Sequence, residues 1–61
     1  MDIHAASIRS ASMCRYLSEA HALSSYGIPH DWRMKTALEE FTAVADALGF
    51  DLVRRPKQEA A

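Results

Sequence analysis

Residues 31–53, DWRMKTALEEFTAVADALGFDLV, carry the start signal, apolar stripe and stop signal of one amphipathic helix. Asp31 is placed to cap the first turn and to meet the positive end of the helix dipole. Met34, Leu38, Phe41, Ala45 and Leu48 recur at alternating steps of four and three, which sets them on one helical face; Ala37 and Val44 widen it. Gly49 then suits the left-handed residue that ends a helix, with Phe50 after it. Most helical stability comes from packing such a face, so the stripe needs something opposite it. The whole chain has 61 residues with which to provide it.

That length allows one small domain, expected over residues 1–55, with residues 56–61 as a disordered tail. A chain of about 60 residues buries only about 60% of its unfolded surface and usually needs a supplement: disulfides, a metal or a subunit interface. Cys14 is the only cysteine, so no disulfide forms within one chain. Burial as a small hydrophobe is the ordinary fate of such a thiol. That leaves a subunit interface or a bound partner as the expected supplement.

Two glycines and two prolines punctuate the chain. Gly27 with Pro29 and Gly49 with Pro56 divide it into a helix, a short turn, a second helix and a tail. The first helix is expected over about 3–26, with Met13, Tyr16, Leu17, Ala20 and Leu23 as its stripe. Upstream the stripe weakens to Ile3, Ala6 and Ser10, while Ile8 points elsewhere. Six serines lower the helix preference, because their hydroxyls compete for backbone groups. Residues up to about Ser7 are therefore expected to fray or to order only against a neighbour. The second helix is expected over 31–48, and the turn between the two is short enough to make them antiparallel. Phe50-Asp51-Leu52-Val53-Arg54 alternates in part, as a strand pairing across a dimer or as an irregular tail.

The candidate chemistry is thin. His4, Cys14, His21 and His30 are metal-ligand types but lack the tight local pairs that zinc sites use. No metal or cofactor is expected, and His21 is placed near the core. Glu39 and Glu40 are adjacent, so on a helix they point about 100° apart and do not converge on one cleft. Ser24, Ser25 and His30 fall in a turn with no oxyanion architecture. No catalytic residue is assigned.

Charge is near balance overall and uneven along the chain. Asp31, Glu39, Glu40, Asp46 and Asp51 outweigh Arg33 and Lys35 in the second helix region, and the tail is basic through Arg54, Arg55 and Lys57. This is well short of the basic footprint of a dedicated nucleic-acid binder. No apolar run approaches the roughly 20 residues needed to span a bilayer, and no signal-peptide pattern opens the chain. A cytoplasmic protein without membrane contact is expected.

Residues 41–52, FTAVADALGFDL, resemble the last helix and exit of Cro/C1-type helix-turn-helix regulators, including antitoxins. In that family an Ala-Asp-Ala-Leu-Gly segment closes the domain, and some members follow it with a strand that pairs across a dimer. The resemblance implies a small DNA-binding regulator as the alternative function. Upstream, Leu23 stands where the family has a small residue, Pro29 closely follows Gly27, and Arg33 stands where an apolar anchor belongs. No DNA-reading residue is carried over.

The sequence thus predicts an all-α, two-helix antiparallel hairpin with a short extended tail, self-associating as a homodimer into a helical bundle. Its expected core and dimer residues are Met13, Leu17, Leu23, Met34, Leu38, Phe41, Val44 and Leu48. The expected function is a non-enzymatic, protein-binding regulator of inhibitor or adaptor type. Ile8, Tyr16, Tyr26, Trp32, Phe50 and Arg54 are its expected contacts with a partner protein, because aromatics and arginine dominate interface hot spots.

Overall fold

A computed structural model describes residues 1–56 of the chain as two helices, α1 (Ile3–Ser25) and α2 (Asp31–Leu48), packed as an antiparallel hairpin. Of the expected tail at 56–61, all but Pro56 lies outside the described residues. The chain ends of the hairpin are joined directly: the Asp2 N–H donates to the Ala47 carbonyl at 2.6 Å, tying the start of α1 to the last turn of α2.

Both helices stop for the reason their glycines suggest. Gly27 adopts φ 71° and Gly49 φ 87°, the left-handed region that favours glycine. Ile28 N–H then donates back to the Leu23 carbonyl at 2.9 Å and Gly27 N–H to Ser24 at 3.0 Å, which satisfies two of the helix's orphan carbonyls. The same pair of bonds recurs after α2, from Phe50 to Ala45 at 2.8 Å and from Gly49 to Asp46 at 3.1 Å.

The starts differ from expectation. α1 does not fray to Ser7: the Asp2 carboxylate accepts from Ala5 N–H at 3.0 Å, and Ala6 is buried. The neighbour that orders this first turn is α2 of the same chain. At α2 the capping position belongs to His30, whose carbonyl accepts from Arg33 and Met34 and whose side chain makes no cap bond. Asp31 is the first helical residue instead, where its charge still meets the helix dipole. The hydroxyls expected to compete with the backbone are absorbed locally. Ser25 Oγ donates to the His21 carbonyl at 2.9 Å, and Thr36 and Thr42 bond the carbonyls four residues back in the same way.

The hairpin is one layer of helices, and its extents of 38 × 28 × 14 Å say so directly. The shortest is only slightly more than the diameter of a single helix with side chains, about 10–12 Å. A single layer has a seam but no interior. Accordingly, the fully buried residues are all alanines: Ala6, Ala20, Ala37 and Ala45. Burial of so small a side chain in so thin a structure requires the two backbones to approach closely. Residues 50–56 carry no strand; Leu52, Val53 and Arg54 run back beside α2 near Leu38 and Phe41.

Candidate interaction surface

The seam does not run along the α2 apolar stripe. It runs along the row one residue earlier: Arg33, Ala37, Glu40, Val44 and Ala47, every member of which is buried or half-buried. The stripe itself, Met34, Leu38, Phe41, Ala45 and Leu48, sits about 100° further round, and its cover is uneven: Ala45 is buried, Met34 and Leu48 are half-buried, and Leu38 and Phe41 are exposed. Leu38 is 53% exposed and Phe41 44% exposed, whereas Ala37 is 1% exposed.

Two features account for this rotation. Small residues at 37 and 47 let the helices close together along their row, which Leu38 and Phe41 would prevent. Charges then fix the rotation on one side of the seam. Arg9 Nη1 reaches Glu40 Oε1 at 3.1 Å, with the Glu40 side chain only 14% exposed. Arg33 Nε lies 2.9 Å from Glu19 Oε2, a charge contact without the alignment of a hydrogen bond. Arg15, one turn before Glu19 on α1, approaches its other oxygen at 3.5 Å. The guanidinium of Arg33 also lies over the Trp32 ring, 3.7 Å from its centroid, with the Tyr16 ring at 5.6 Å.

The slab therefore has two unlike broad faces. On one, the ion pairs alternate with aromatic rings, and Leu23, Tyr26 and Trp32 line a shallow trough beside Glu19 and Arg33. On the other, Met13 and Leu17 of α1 meet Ala37, Leu38 and Phe41 of α2 around a trough lined by these five apolar residues alone. A second trough, which shares Leu38 and Phe41 with it, is closed by Thr42, Leu52, Val53 and Arg54.

The expected partner contacts are divided between these faces. Tyr16, Tyr26 and Trp32 come together on the charged face, Tyr16 half-buried and the other two exposed. Ile8 is exposed on the same flank of α1 as Glu19 but about three turns away. Phe50 stands exposed past the end of α2, and Arg54 borders the apolar face. Of the expected core residues, Met13, Leu23, Met34, Val44 and Leu48 are half-buried, while Leu17, Leu38 and Phe41 are exposed; none is fully enclosed by one chain. Cys14 and His21, expected near the core, are both exposed, because their side of α1 lies beyond the reach of a single neighbouring helix.

The buried alanines at 6, 20, 37 and 45 stand on the expected helical stripes but were not among the expected core residues, and the two interhelix ion pairs were not singled out from sequence, because pairing charges across helices requires knowing the rotation first. Among the described residues no group of three His, Cys, Asp or Glu side chains is gathered as a metal site, and no helix is long and apolar enough to cross a membrane. Compared with known proteins, the chain matches no family model, no curated protein and no solved structure.

Proposed function

We propose that this chain is a non-enzymatic binding protein, a small regulator of inhibitor or adaptor type that acts as a homodimer through an apolar helical face. The observation that carries the reading is the exposure of Leu38 and Phe41 of α2 beside Leu17 of α1, around a trough they share with Met13 and Ala37, on a one-layer hairpin. Helical domains reach stability by packing an apolar face on a second layer, and one chain supplies only the first.

The exposed aromatics at the turn end, Tyr26 and Trp32, support a second contact, with a partner protein. Pull-down from the native host with wild-type bait and a Trp32→Ala, Tyr26→Ala control tests this. A protein retained by the wild type and lost with the control is expected. Equal recovery on both baits contradicts the assignment of that contact. Duplex DNA is the alternative partner, supported by exposed Arg54 and Arg55. It requires salt-sensitive retardation in a gel shift that weakens when both arginines are replaced by Ala.

A further inference from the structure

We infer that the trough beside Tyr26 and Trp32 takes an acidic segment of the partner protein, with Arg33 presenting its guanidinium fork to a carboxylate of that segment. The inference rests on the reading above of a partner contact at the turn end and gives that partner its chemistry.

The first observation is how Arg33 is held. Its guanidinium carbon lies 3.7 Å from the centroid of the Trp32 ring and 5.6 Å from that of Tyr16. Its Nε lies 2.9 Å from Glu19 Oε2, so one edge of the guanidinium is engaged by a carboxylate of the same chain. Among the described residues neither Nη nitrogen donates a hydrogen bond, and the side chain is 28% exposed. Arg9 differs: its Nη1 donates to both oxygens of Glu40, at 3.1 and 3.4 Å. A guanidinium held by stacking and by one edge has given up rotamer freedom before any ligand arrives. Less ordering then remains to be done on binding.

The second observation is the charge around Glu19. Arg33 approaches one of its oxygens from α2, and Arg15 of α1 approaches the other through Nε at 3.5 Å. One carboxylate thus stands against two guanidiniums, and one positive charge is in excess. The next charges along this face, Arg9 and Glu40, pair with each other. A carboxylate from outside restores the balance. A cationic side chain would instead meet two arginines whose counter-charge is already engaged.

The third is the lining. Ala22, Leu23, Tyr26 and Trp32 flank Glu19 and Arg33, and both rings are exposed. A polypeptide suits this mixture, because it brings apolar side chains to the rings and a carboxylate to the fork. Nucleic acid calls for a row of cations along its phosphates, and a membrane surface for a border rich in Lys and Arg. One excess charge supplies neither.

Trp32 is the single tryptophan, so its fluorescence reports on the ring against which Arg33 lies. The wild-type chain is titrated with the capped peptide acetyl-Glu-Leu-Glu-Leu-Glu-amide and, as control, with the same peptide carrying glutamine for glutamate. A saturable change with the acidic peptide, weakened by added salt and absent with the control, is the expected result. Arg33→Gln should raise the dissociation constant about tenfold without altering the far-UV circular dichroism spectrum. If that variant loses its helices, the two peptides on the wild-type chain decide alone. Equal responses to both peptides, or no saturation by about 10 mM of the acidic one, overturn the inference. Saturation by inorganic phosphate in place of the acidic peptide also overturns it, and moves the ligand of the fork to a phosphate group. In either case, a protein retained by the wild-type bait and lost with the Trp32→Ala, Tyr26→Ala control leaves the partner contact standing without the acidic chemistry.

Discussion

Two neighbouring rows of α2 differ by one residue in sequence and, at Leu38 and Phe41, in exposure to solvent. The inner row, Arg33, Ala37, Glu40, Val44 and Ala47, is polar at two of its five positions, yet α1 covers it. The outer row, Met34, Leu38, Phe41, Ala45 and Leu48, is apolar throughout, yet Leu38 and Phe41 face solvent. Hydrophobicity by itself would have exchanged them. What decides is the geometry of a two-helix contact. Close approach needs small side chains at the seam, and a single partner helix covers only a narrow strip of the cylinder. Of the apolar row, the hairpin leaves Leu38 and Phe41 exposed.

Enlarging the seam breaks this comparison most severely. Ala37→Leu places three extra carbons where the wild-type side chain is almost wholly enclosed. Overpacking of this kind costs about 1–3 kcal/mol, enough to unfold much of a marginal chain. A large fall in the melting temperature followed by far-UV circular dichroism is expected. An unchanged melt shows that the helices are not held at the seam. The outer row responds differently. Leu38→Ala with Phe41→Ala is expected to raise the dimer dissociation constant by at least tenfold, about 1.4 kcal/mol, in a dilution series read by sedimentation. If the dilution profile does not move, the two rows do not have separate roles.

The helix ends come next in size. Gly49→Ala and Gly27→Ala meet no steric obstacle, since no heavy atom lies within 4 Å of either added Cβ, so their effect isolates the left-handed backbone. Each is expected to cost about 1 kcal/mol in denaturant unfolding. Asp2→Ala removes the α1 cap at a similar cost of about 1 kcal/mol, with faster amide exchange at Ala5. Retained protection at Ala5 would show that α2, and not the cap, orders this turn. The smallest effect belongs to the half-exposed Arg9–Glu40 pair. A double-mutant cycle to Ala should give a coupling below about 1 kcal/mol that shrinks with salt.

The parts of this architecture written in local code were legible from sequence. Two glycines at positive φ, a short turn and a helical repeat led to the hairpin and to α2 at 31–48 directly. Chain-local polar detail was read less well. The Asp2 cap precedes a serine-rich stretch that by itself argues for fraying, and the cap expected of Asp31 falls to the His30 backbone. Cys14 and His21 were set near a core that does not extend to their side of α1. The rotation of α2 was not legible at all, because it follows from Ala37 and from Arg9–Glu40 and Arg33–Glu19, contacts between residues far apart in sequence. For the same reason the candidate surface was half read. Leu38 and Phe41 were grouped in one core and dimer set with Met34, Val44 and Leu48; the single chain leaves the first two exposed and half-buries the other three.

The central claim is that one chain forms only half of the layered structure its apolar face requires. Sedimentation equilibrium of the wild-type chain tests it most directly. The account predicts a species of twice the 6.8 kDa chain mass, whose melting temperature rises with protein concentration. A 6.8 kDa monomer with a cooperative melt that does not depend on concentration would contradict it.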